Sequence, residues 1–127
     1  MDTLNVMVVD DSGITVKKIE KMLFDLGHNV VGVCRNGEIA LAAYDKFKPD
    51  LITMDITMPD MDGIEATRRI IAKDPKALII IVTSHGQEQM VIDAIDAGAK
   101  GYVLKPIKPE KLQETINKVW SNYGSNK

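Results

Sequence analysis

At 127 residues, 45% of them hydrophobic, the chain has material for one domain with a real core and none for a second domain of normal size. A net charge of −2 gives no bulk pull toward nucleic acid or a membrane surface. Cys34 is the sole cysteine, which excludes an internal disulfide and a cysteine-based zinc site.

In chain order, Asn5 to Val9 is almost wholly apolar and stops at Asp10-Asp11. A strand apolar on both faces belongs in the middle of a parallel sheet. Ser12 is placed to cap a helix with Ile19, Met22, Leu23 and Leu26 at helical spacing and Gly27 at its end. Val30 to Cys34 reads as a second strand. Asn36-Gly37 opens a helix with the stripe Ile39, Ala40, Ala43, Tyr44 and Phe47, and Pro49 prevents its continuation.

Leu51 to Met54 is a short apolar run between Pro49-Asp50 and Met58-Pro59-Asp60, so it reads as a buried strand with Asp55 at its edge. Asp62 and Glu65 have capping-box spacing before the stripe Ile64, Thr67, Ile70, Ile71. Leu78 to Val82 is a β-branched strand ending at Thr83-Ser84. A helix with Val91, Ala94 and Ile95 stops at Gly98, and a strand from Gly101 to Leu104 stops at Lys105-Pro106. Pro109 suits the first turn of a last helix with the stripe Leu112, Ile116, Val119, Trp120, Tyr123, and residues 124–127 read as a frayed tail.

Five β-α alternations predict a single α/β domain with helices on both faces of a parallel five-stranded sheet. The flavodoxin-like order 2-1-3-4-5 places the switch point between the first and third strands, and ligands bind outside the carboxyl ends of strands there. The longest apolar runs fall short of the ~18 residues of a membrane span. Met1-Asp2-Thr3 lacks the build of a signal peptide, so a soluble cytoplasmic protein is expected.

That edge collects Asp10 and Asp11 from the first strand, Asp55 from the third, Thr83 from the fourth and Lys105 from the fifth. Taken singly, Asp10-Asp11 reads as a solvated helix start, Thr83 as a cap, Lys105 as a surface lysine and Asp55 as a loop carboxylate. Their coincidence at one edge is what points to chemistry. Two carboxylates ~4 Å apart repel by on the order of 4 kcal/mol at an effective dielectric of 20. A hard divalent cation such as Mg²⁺ relieves this, and an oxygen-only set suits it. Metal, ammonium and hydroxyl around one carboxylate describe phosphoryl transfer, with Asp55 as nucleophile. No glycine-rich nucleotide loop occurs. His28 and His85 read as surface or loop histidines, Cys34 as a small core residue, and Met58 and Met61 as loop packing.

The pieces Val8-Val9-Asp10-Asp11-Ser12, Met54-Asp55, Met58-Pro59, Asp62-Gly63, Thr83-Ser84 and Lys105-Pro106 resemble the receiver domain of two-component response regulators over essentially the whole chain. Gly86-Gln87, Met90-Val91, Asp93-Ala94-Ile95 and Ala97-Gly98-Ala99-Lys100 bring the likeness nearest to the stand-alone chemotaxis branch. The resemblance implies that Asp55 accepts a phosphoryl group from a histidine kinase. It implies that Asp10, Asp11, Asp55 and the backbone carbonyl of Thr57 hold Mg²⁺, and that Thr83 and Lys105 bind phosphoryl oxygens. Tyr102 matches an aromatic switch position, the Lys105-Pro106 peptide is expected to be cis, and Thr57 and His85 fall where the family tunes phosphate lifetime. The expected partners are the kinase, a flagellar motor switch protein bound by the face of the last two helices and last strand, and a phosphatase. A monomeric switch with no output domain follows, catalysing only its own phosphorylation and dephosphorylation. The alternative is a phosphorelay intermediate that passes the group to a histidine phosphotransfer protein.

Overall fold

A computed structural model describes residues 2–124. The strands are β1 (Asn5–Val9), β2 (Asn29–Cys34), β3 (Leu51–Met54), β4 (Ile79–Thr83) and β5 (Gly101–Leu104), all parallel, in the order β2-β1-β3-β4-β5. The helices are α1 (Gly13–Asp25), α2 (Gly37–Phe47), α3 (Gly63–Lys73), α4 (Glu88–Asp96) and α5 (Pro109–Tyr123). The expected strand order is the observed one.

Side-chain alternation along the strands divides the core in two. Met7, Val9, Ile52, Met54, Ile79 and Ile81 pack with Ala40, Tyr44, Ala66, Ile70 and Ala94 of α2, α3 and α4. Val6, Val8, Leu51, Ile80, Val82 and Val103 pack with Val16, Ile19, Leu23, Leu112, Ile116 and Val119 of α1 and α5. β3 and β4 are buried along their whole lengths, as strands covered on both faces must be. Cys34 lies in the first of these layers, and Met61 is buried there with Met58 packed against it.

The helix ends follow the sequence signals. Ser12 Oγ accepts from Thr15 N–H at 3.3 Å, and Asn36 Oδ1 accepts from Ile39 N–H at 2.8 Å. Gly27 ends α1 at φ +88°, a backbone region few other residues enter cheaply. Asp62 Oδ1 accepts from both Ile64 N–H and Glu65 N–H at 2.9 Å. Glu65 does not complete the box; its carboxylate pairs with Arg68 and, at 2.9 Å, with Arg69 Nε. The side chains one turn along offer charge, which an exposed carboxylate prefers to a single backbone donor.

Some expectations need correcting. Ile39 is 48% exposed, and Leu41 packs in its place against the core. Ile95 is 59% exposed, so the stripe of α4 narrows to Ala94 with Met90 packed against the core, and at the end of α5 Tyr123 also faces solvent. His28 is no surface residue: it is 3% exposed, and its Nδ1 accepts from Leu4 N–H at 3.1 Å. Gly124 caps α5 through Trp120 O and is buried, while the rest of the expected tail lies outside the described residues.

Candidate functional site

Parallel pairing of β1 and β3 sets Val9 opposite Met54, and Asp55 N–H donates to Val9 O at 2.9 Å. Asp10 and Asp55 therefore leave the sheet side by side. Each is buried, at 1% and 6% exposure, whereas Asp11 is exposed. One carboxylate oxygen each from Asp10, Asp11 and Asp55 lie within 4.8 Å of one another. Asp10 is held by two donors: Ser12 N–H reaches its Oδ1 at 2.9 Å, and Lys105 Nζ reaches its Oδ2 at 2.9 Å.

Lys105 leaves the end of β5 across a cis peptide to Pro106, and its Nζ also stands 3.5 Å from Asp55 Oδ1. Burial, and then the negative charge of Asp10, push the Asp55 carboxyl above its ordinary range; Lys105 pulls the other way. Three carboxylates against one ammonium leave the site short of positive charge. An oxygen-only donor set with that deficit fits a hard divalent cation of the Mg²⁺ kind. Asp10, Asp11 and Asp55 are the side chains that could hold it. Thr57, whose backbone carbonyl is the fourth expected ligand, sits two residues beyond Asp55 in the exposed loop.

Thr83, at the end of β4, is buried, and its Oγ1 accepts from His85 N–H at 3.2 Å. Tyr102 on β5 is half-buried, and its O–H donates to the His85 carbonyl at 2.6 Å. The Tyr102 ring already packs against the core layer of α2, α3 and α4. The expected site residues thus converge on one sheet edge in two linked groups: Asp10, Asp11, Asp55 and Lys105, and Thr83 with Tyr102 around His85.

Two contributions went unread in the sequence. A side-chain carbon at Gly63 would overlap the backbone carbonyl of Asp55, so α3 can start there only with glycine. Asp62-Gly63 directly after the loop was the signal for it. Thr57 Oγ1 and His85 Nε2, 28 residues apart, share a hydrogen bond at 2.8 Å, and no local pattern announces such a contact.

Comparison with known proteins agrees with this geometry. Residues 6–117 match the model of the response regulator receiver domain. Chemotaxis protein CheY of Thermotoga maritima is 43% identical over 114 residues, covering 90% of this chain and 95% of that one. Chemotaxis protein CheY of Bacillus subtilis is 44% identical over 113 residues, with 89% and 94% covered. Among solved structures, the CheX-CheY-BeF3-Mg²⁺ complex from Borrelia burgdorferi aligns with a TM-score of 0.89 and 36% identity, covering 91% of this chain and 88% of that chain. By sequence and by fold, the chain belongs to the response regulator receiver domain family, and its chemotaxis members are among its near relatives.

Proposed function

We propose that this chain is a single-domain chemotaxis switch. Asp55 takes a phosphoryl group from a histidine kinase, and the α4-β5-α5 face then gains affinity for a flagellar motor switch protein. One observation carries the reading: a buried carboxylate at the switch point has Lys105 Nζ 3.5 Å away and two further carboxylates within 4.8 Å.

The ionised Asp55 oxygen attacks phosphorus in line. The phosphorus–nitrogen bond of the kinase phosphohistidine breaks, and its electron pair returns to the imidazole. Lys105 follows the charge building on the phosphoryl oxygens, and the Thr83 hydroxyl offers a donor to another. Asp10, Asp11, Asp55 and the Thr57 carbonyl would hold Mg²⁺, which when bound neutralises the crowded oxygens and polarises the phosphoryl group. Phosphorylation adds nearly two negative charges, so the new group competes for Lys105 and Thr83. The chain acts on itself and turns over no separate substrate; a phosphatase partner would end the signal.

The output half rests on the surface. Ile92, Ile95, Leu104 and Tyr123 are exposed apolar side chains on α4, β5 and α5. Leu104 stands opposite Thr83 in the sheet, and Tyr102 of the same strand bonds the carbonyl of His85, so a change at the phosphorylation site has a short route to that face.

Labelled acetyl phosphate with Mg²⁺ tests the acceptor. Label on the wild type and none on Asp55→Asn is expected; label on the variant would overturn the assignment. A phospho-dependent pull-down of the motor switch protein tests the output. Onward transfer of label to a histidine phosphotransfer protein, with no motor protein retained, would replace it with a relay.

A further inference from the structure

We propose, resting on the switch reading above, that His85 is a positioning residue: its imidazole, tied to Thr57 Oγ1, fixes the carbonyl that holds Tyr102 inward.

His85 is bonded three ways to three parts of the sheet edge. Its N–H donates to Thr83 Oγ1 at 3.2 Å, its carbonyl accepts from Tyr102 O–H at 2.6 Å, and its Nε2 shares a hydrogen bond with Thr57 Oγ1 at 2.8 Å. The segment it occupies has no regular structure to steady it. β4 ends at Thr83 and α4 begins at Glu88, with Ser84, Gly86 and Gln87 exposed around a half-buried His85. α4 also starts without a side-chain cap at Gln87.

The carbonyl that receives Tyr102 belongs to the His85-Gly86 peptide. Glycine on its far side leaves that peptide plane free to rotate. The restraint must therefore come from His85 itself. Its N–H bond to Thr83 fixes one side, and the imidazole bond to Thr57 fixes the residue against rotation about its own backbone. The loop after β3 is thereby coupled to the aromatic switch on β5 without any phosphoryl group. Binding linkage makes the coupling reciprocal: whatever draws Tyr102 inward strengthens the Thr57–His85 bond by the same factor. The Thr57 side chain thus gains a role separate from that of its carbonyl.

The test reads the Tyr102 ring by NMR in the full, unphosphorylated chain, with the buried Tyr44 ring reporting an intact fold. T57V and H85A are each expected to lower the inward-to-outward ratio by about two- to tenfold, the range of one side-chain hydrogen bond. T57S, which keeps the hydroxyl, should match the wild type. The T57V/H85A double variant should be no worse than either single one, because both remove the same tie. A T57V ratio equal to the wild type, or double-variant losses that multiply, would overturn the coupling. If T57V disturbs the Tyr44 ring, H85A against H85Q decides: release only in H85A supports the role, and equal behaviour removes it. No phosphodonor enters these measurements, so label on Asp55→Asn would sink the acceptor reading and leave the Tyr102 ratios standing.

Discussion

Lys105 Nζ lies nearer to Asp10 Oδ2, at 2.9 Å, than to Asp55 Oδ1, at 3.5 Å. The ammonium therefore leans on Asp10 rather than on Asp55, the proposed acceptor. In the proposed transfer, that leaves Asp55 free to attack phosphorus while a cation waits beside it. Lys105→Ala should slow labelling of Asp55 by roughly tenfold or more, the loss expected when a charge-stabilising donor is removed. Lys105→Arg keeps the charge and should recover part of the rate. Initial rates of label incorporation from acetyl phosphate check both.

Divalent cations should stabilise the fold. A ligand that binds only the folded chain at 100 times its dissociation constant adds about 2.7 kcal/mol. Thermal unfolding with Mg²⁺ against chelator should show a rise in the wild type that shrinks in Asp11→Asn. In chelator, Asp55→Asn should melt above the wild type. The folded state holds the Asp55 carboxyl above its ordinary range, through burial first and Asp10 second. Its contribution to stability is therefore full below the unfolded pKa and is lost as pH rises through the folded one, so at neutral pH it is a penalty that asparagine removes.

Gly63→Ala should cost at least the upper part of the ~1–3 kcal/mol typical of overpacking. The obstacle is the backbone carbonyl of Asp55, which cannot turn aside as a side chain does. Urea denaturation measures the loss. The labelling rate of Asp55 should fall with it, since the displaced atom belongs to the proposed acceptor.

His28 should make the fold acid-sensitive. Its ring is buried, and Nδ1 can accept from Leu4 N–H only while unprotonated. Burial lowers its pKa from 6.5. In the window below 6.5 the unfolded chain binds a proton that the folded chain refuses, so stability falls as pH falls. Stability should therefore decline steadily as pH is taken down through and below 6.5. Urea midpoints across that range check it, and the loss should flatten in His28→Gln.

Strand order, helix order and the convergence of Asp10, Asp11, Asp55 and Lys105 were legible because each strand is a short apolar run cut off by a polar residue at the same edge. Helical faces were less legible. A stripe at 100° per residue identifies its centre, as with Ala40 and Ala94, but not its margins, where Ile39 and Ile95 turn to solvent. His28, read as a surface or loop histidine, does lie in the connection between α1 and β2 but is buried. Its burial depends on Leu4, 24 residues away, and pairing at such range leaves no periodic trace.

The β1–β3 register makes the chemistry and the architecture inseparable. Moving β3 by one position would exchange the helix layers its two faces meet, setting Ile52 and Met54 where Leu51 and Thr53 now lie. The same shift would carry Asp55 away from Asp10. A misthreaded β3 would therefore part the two carboxylates in the same step that disturbs both core layers.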